Sequence, residues 1–131
     1  MRTHLLLLVL ALPFALSAQD AVKREFYPNG QLQRVYWSTG DRTRFISYHE
    51  NGKVNDKGSF KSELPDGRWT RYAEDGTRIS RVKYDEGQRT GLWTIRTMDG
   101  LTHQLRYRGN TLVHGEQFDP NGTLVAEHDN R

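Results

Sequence analysis

Five Asn-Gly or Asp-Gly dipeptides, Asn29-Gly30, Asn51-Gly52, Asp75-Gly76, Asp99-Gly100 and Asn121-Gly122, follow one another at spacings of 22, 24, 24 and 22 residues. Asn, Asp and Gly accept positive φ with little strain, so each dipeptide marks a place where the chain can reverse tightly. Strand-forming residues flank every one of them, and each is read as a two-residue type I′ hairpin tip. Five tips at one period mean a tandem array in which each unit is a supersecondary element stacked on the next.

The flanks keep the same register. Three residues before the dipeptides stand Phe26, Tyr48, Tyr72, Arg96 and Phe118, and six residues before stand Lys23, Phe45, Trp69, Trp93 and Gly115. Gly67-Arg68-Trp69 recurs 24 residues later as Gly91-Leu92-Trp93, and Tyr36, Phe60, Tyr84 and Tyr107 fall between turns. The end units lack the large aromatic at the sixth position, as expected of repeats that cap an array. Polar, Gly-rich connections divide the hairpins: Ser38 to Asp41, Ser59 to Gly67 with Pro65-Asp66-Gly67, Asp85 to Gly91, and Gly109-Asn110. A two-residue turn at Asp75-Gly76 sets Tyr72 opposite Ile79 and Trp69 opposite Val82, on opposite faces of the sheet. The same turn at Asp99-Gly100 sets Trp93 opposite Arg106, which points to a bulge or a longer turn in the fourth unit. The fold class expected is all-β: tandem β-hairpin repeats forming one elongated, twisted antiparallel sheet with open edges near residues 23–28 and 123–128.

The first eighteen residues differ from the rest. Arg2 and His4 precede the apolar run Leu5 to Leu12, Pro13 breaks it, and Ala15-Leu16-Ser17-Ala18 offers small residues for cleavage. That order predicts a secretory signal peptide over 1–18 and a repeat domain over 19–131. Export to the periplasm, cell surface or medium follows. Its removal leaves 18 Lys and Arg against 16 Asp and Glu, a mild excess that makes nucleic acid an unpromising partner. The chain has no cysteine, so packing and strand pairing must hold it without disulfides.

Gly67-x-Trp69-x-x-Tyr72-x-x-Asp75-Gly76, the partial copy from Gly91 to Gly100, and Tyr48-His49-Glu50-Asn51-Gly52 resemble bacterial MORN-repeat variants of the YwqK antitoxin type. The resemblance covers residues 24–126. It implies hairpins stacked side by side and a binding surface for a protein or a lipid, with the antitoxin label pointing to a protein. The sequence departs from the pattern at Arg96 and at Gly115.

Catalytic chemistry is hard to assemble from these residues. His49, His103, His114 and His128 show no metal-site spacing; His103 and His114 can meet across a hairpin, but no third ligand stands beside them in a recognisable pattern. No nucleophile elbow, phosphate-cradling loop or HExxH occurs, so neither an enzyme nor a cofactor or metal site is expected. Phe45, Trp69 and Trp93 are assigned to a packed structural face. Tyr48, Tyr72, Arg96 and Phe118 are assigned to an exposed binding face. Arg68, Arg71, Arg78, Arg81, Arg89, Arg96, Arg106 and Arg108 interleave with the aromatics in the manner of a polyanion-binding surface, although nearby carboxylates are expected to neutralise them. The function expected is non-catalytic binding of a protein at the cell envelope, the alternative being a lipid headgroup or glycan.

Overall fold

The computed structural model describes residues 22–130. The expected signal peptide, 1–18, lies outside them. The described chain folds into β1 (Val22–Phe26), β2 (Leu32–Thr39), β3 (Arg42–Tyr48), β4 (Val54–Lys61), β5 (Leu64–Pro65), β6 (Gly67–Tyr72), β7 (Arg78–Asp85), β8 (Gln88–Arg89), β9 (Gly91–Arg96), β10 (Thr102–Arg108), β11 (Thr111–Phe118) and β12 (Leu124–Asp129). Ten of these lie side by side as one open antiparallel sheet, β1-β2-β3-β4-β6-β7-β9-β10-β11-β12, with β5 and β8 paired to β4 and β7 at one margin. At about 4.8 Å between strands the sheet is roughly 43 Å across, longer than any of its strands. Strands β1 and β12 are its free edges, as the sequence predicts.

All five Asn-Gly and Asp-Gly pairs lie at chain reversals, but the turn is not the expected type I′. The Gly30, Gly52, Gly76, Gly100 and Gly122 amides each bond the carbonyl three residues back, and Tyr27, His49, Ala73, Thr97 and Asp119 each pair with the residue four further on. Only the glycine of each pair has positive φ, +82° to +89°. Each tip is therefore a three-residue loop: a type I turn closed by a left-handed glycine. In the first and fifth tips Pro28 and Pro120 hold the first turn position, where proline's fixed negative φ suits type I. The Asn or Asp supplies a carbonyl or carboxylate oxygen to the amide two residues on, at 3.0 Å in Asn29, 3.0 Å in Asn51 and 2.8 Å in Asp75.

Positive φ at both central residues occurs instead at the opposite margin, where polar loops were expected. Ser62-Glu63, Glu86-Gly87 and Gly109-Asn110 form two-residue turns with all six φ values between +45° and +86°. The short strands β5 and β8 stack on these turns: the Gly87 amide bonds the Pro65 carbonyl at 2.8 Å, and the Asn110 amide bonds the Arg89 carbonyl at 2.9 Å.

Turn length fixes register. A three-residue loop pairs Tyr72 with Arg78 rather than Ile79; one bulged residue then restores the expected pairing of Trp69 with Val82. The fourth unit has the longer turn and no such bulge near the tip, so Trp93 faces Leu105 instead of Arg106. An apolar pair replaces the awkward one.

Neighbouring registers join into a row across the sheet: Lys23, Tyr36, Phe45, Gly58, Trp69, Val82, Trp93, Leu105, Gly115 and His128. Phe60, Tyr84 and Tyr107 flank it on the same face. Ring centroids approach to 5.0 Å for Phe60 and Trp69, 5.7 Å for Phe45 and Trp69, 5.2 Å for Tyr84 and Trp93, and 5.1 Å for Trp93 and Tyr107. The Trp69 indole lies flat on β4, donating from Nε1 to the Ser59 carbonyl at 3.1 Å, and Trp93 repeats this on β7 with the Lys83 carbonyl at 2.9 Å. Gly58 makes room: a Cβ there would fall 2.1 Å from the Trp69 ring. Phe45, Trp69 and Trp93 touch neighbouring rings along this row, and each is only half-buried. Among the described residues no hydrophobic side chain is fully buried. The sheet is a single layer, and its cohesion is lateral, ring against ring and strand against strand.

Candidate binding face

Side chains alternate along each strand, so the aromatic row defines one face and leaves another behind it. Tyr48, Tyr72, Arg96 and Phe118 all fall on that second face, in one row beside the Asn-Gly and Asp-Gly tips, with Phe26 at its start. The two sets of residues singled out by the repeat thus occupy opposite faces. Lys57 Nζ sits 5.6 Å from the Tyr72 ring centroid, a cation–π distance.

Charge separates between the faces. The aromatic face carries its cations paired: Arg34 with Glu25 at 3.2 Å and Arg71 with Asp56 at 2.8 Å. Lys23 on that face also meets Glu25, at 3.2 Å. The second face carries Arg44 on β3, Lys57 on β4, Arg68 on β6, and Arg81 and Lys83 on β7 in its two middle rows. Arg24, Arg78, Arg96 and Arg106 extend the same face toward its limits. Among the described residues, none of these nine has a carboxylate oxygen within 4.0 Å or donates a side-chain hydrogen bond. The expected neutralisation of the arginines therefore fails, because β-alternation places the partner carboxylates on the other face or at the sheet margins. Of the eight interleaved arginines, Arg71 alone meets a carboxylate within 4.0 Å among the described residues, and it lies on the aromatic face. Trp37, Ile46 and Thr70 floor a shallow depression of about 330 Å³ between Arg44, Lys57 and Arg68. A second hollow of about 320 Å³ lies among Arg68, Arg78, Arg81 and Lys83, beside Leu92.

Among the described residues, the carboxylates in the two middle rows of this face are gathered at its C-terminal end. Glu116 on β11 and Glu127 and Asp129 on β12 surround His114, whose Nε2 lies 3.2 Å from Glu116 and 3.9 Å from Glu127, while Nδ1 meets Asp129. Hydrogen bonds to Asp129 and then Glu116 hold the imidazole's pKa above its ordinary 6.5. His103 does not join it: it pairs with Gln117 on the aromatic face, while His114 pairs with Arg106 on the other. The i, i+2 patterns His114-x-Glu116 and Glu127-x-Asp129 are the signal that sequence reading missed, since each puts both side chains on one face. The ligand atoms of His114, Glu116 and Glu127 lie within 4.8 Å of one another, near enough to share a cation. A protonated histidine between carboxylates satisfies every one of these contacts.

A third polar centre is structural. Asp66, buried between β5 and β6, accepts the Glu86 amide on Oδ1 and Arg42 Nη2 on Oδ2, both at 2.8 Å. The amide first and the guanidinium second hold its carboxyl below the usual 3.8. Asp66 thereby ties β3 and the Glu86-Gly87 turn to the β5–β6 junction.

Fold and faces together define an open-faced tandem β-hairpin array, one side aromatic and the other cationic. The MORN repeat variant family model matches the chain at residues 19–40 and 44–62, within the first two units. MORN repeats are generally protein- or membrane-binding modules. No curated protein matches the chain. Among solved structures, the crystal structure of TarM is similar at 13% identity and a TM-score of 0.42, over 87% of this chain and 20% of that one. A mutant of S. aureus TarM in complex with fondaparinux, alpha-GlcNAc-glycerol and UDP matches at 12% identity and a TM-score of 0.42, over 83% and 19%. The chain spans about a fifth of the length of these structures. No helix among the described residues is long and apolar enough to cross a membrane.

Proposed function

We propose that the protein is an exported, non-catalytic interaction module that binds another protein at the cell envelope through its cationic face. The observation that carries this reading is the segregation of charge: among the described residues, nine cations lack a carboxylate partner on one side of a single-layer sheet whose other side pairs its own. Unsatisfied charge on an exposed face costs folding stability through mutual repulsion and gains nothing within the chain. Arg, Trp and Tyr are also the residues enriched where protein interfaces concentrate their binding energy. The match to MORN-variant repeats over residues 19–40 and 44–62 supports a module that holds partners. A toxin met outside the cytoplasm is one such partner, in keeping with the YwqK antitoxin type.

A photo-crosslinking residue placed at Arg68 on the cationic face, or at Ser80 on the aromatic one, tests this in the producing cell. Adducts with a discrete protein from position 68 but not from position 80, on a processed and exported chain, support the reading. Absence of protein adducts from both positions overturns it, and an unprocessed chain recovered from the cytoplasm overturns the export.

A further inference from the structure

Successive strands of the cationic face each present at least one free cation in its two middle rows: Arg44 on β3, Lys57 on β4, Arg68 on β6, and Arg81 with Lys83 on β7. The strands are about 4.8 Å apart, so a chain crossing them meets a positive charge at each step over roughly 14 Å. Between β2 and β9 these rows hold no Asp, Glu, Asn or Gln; their acceptors are the hydroxyls of Ser59, Thr70 and Thr94. The surface donates hydrogen bonds and scarcely accepts them, and a neutral glycan, which offers hydroxyls needing both, finds little to hold it. A ligand rich in acceptors and negative charge fits.

We propose that this face is the docking site for an extended acidic segment of a protein partner, lying across β3, β4, β6 and β7 with its carboxylates on Arg44, Lys57, Arg68 and Arg81. This rests on the reading above that the partner is a protein. Guanidinium groups take carboxylates in forked pairs, and Trp37, Ile46 and Leu92 offer apolar footing between the charges. An extended chain rises about 3.3 Å per residue, so five or so residues span the four strands. Glu116, Glu127 and Asp129 repel such a segment from β11 and β12 and so confine it to the N-terminal two thirds of the face.

The test titrates the full repeat domain into a fluorescein-labelled ten-residue peptide of Glu and Asp, read by anisotropy at two salt concentrations. Parallel arms hold inorganic polyphosphate, a single-stranded oligonucleotide and vesicles with anionic lipid. The peptide is expected to bind at low salt and to weaken as ions screen the charges. Neutralising Arg44, Arg68 and Arg81 together to Gln is expected to weaken binding roughly thirtyfold, about threefold for each charge. The double variant Arg34→Gln with Arg71→Gln, on the opposite face, leaves it unchanged. Peptide binding that survives the triple substitution, or that is absent at low salt, overturns the proposal. Tighter binding of polyphosphate, oligonucleotide or vesicles than of peptide also overturns it, in favour of that ligand. If the peptide fails while Arg68 still crosslinks to a protein in cells, the acidic segment falls and the protein-binding module stands. If the peptide binds and no crosslink forms, the face takes acidic chains but the protein partner falls, and the proposal falls with it.

Discussion

Replacing Gly58 by alanine is the sharpest probe of how this single-layer sheet coheres. The Cβ would sit 2.1, 2.3 and 2.6 Å from Cδ2, Cε2 and Cε3 of Trp69, so the indole must lift off β4. Removing a fully buried tryptophan costs about 3–5 kcal/mol. Trp69 is half-buried, which sets the loss nearer 2 kcal/mol, and the bond from its Nε1 to the Ser59 carbonyl adds about 1 kcal/mol. Alanine is better than glycine in a strand by about 0.5–1 kcal/mol. The net expectation is a loss of about 2 kcal/mol, or roughly 10 °C in Tm for a domain of this size. Gly115→Ala is the matched control, on the same row with an ordinary φ, where the new methyl meets only the flexible Leu105 Cδ2 at 3.2 Å and costs a few tenths of a kcal/mol. Thermal and urea melts followed by tryptophan fluorescence measure both, and in a Trp69→Ala background Gly58→Ala should cost nothing. Equal midpoints for Gly58→Ala and Gly115→Ala would refute the packing described for Trp69.

Three further perturbations report on the turns and polar centres. Asp66→Ala is expected to cost about 2–3 kcal/mol, because it strips two charge-assisted contacts at a buried junction. Asp66's lowered pKa gives stability that is present above 3.8 and lost as pH falls through the folded value, so the variant's acid unfolding limb should flatten in denaturant titrations. His114 has the opposite sign: its raised pKa gives stability that is whole below 6.5 and lost as pH rises through the folded value. The urea midpoint should fall across that window in the parent and stay level in His114→Gln. Ser62-Glu63→Asn-Gly should raise stability by about 1 kcal/mol, since two residues now held at φ +49° and +65° would give way to the pair that tolerates them best, and an unchanged melting point would count against left-handed strain there.

The hairpin array was legible because turn residues and aromatics repeat at one period, and alternation alone separates Tyr72 from Trp69 onto opposite faces. The turn class was not legible from the dipeptides. Asn29-Gly30 serves equally as the centre of a two-residue turn or as the last two residues of a three-residue one, and the deciding signal is Pro28 before it, with Pro120 in the fifth unit. Ser62-Glu63 carries no glycine to advertise its left-handed turn, which the pairing of Lys61 with Leu64 closes. The free cations could not be read from composition, because nearly equal numbers of acids and bases conceal which side of a sheet each occupies. Register decides that, and register depended on the turns.

The two ends of the described chain belong to strands at opposite borders of the sheet, β1 and β12, and every ladder in between joins only adjacent strands. A pull applied through the termini therefore acts along the hydrogen bonds rather than along the strands, breaking one rung after another. Such a sheet yields by unzipping, a strand at a time from its borders.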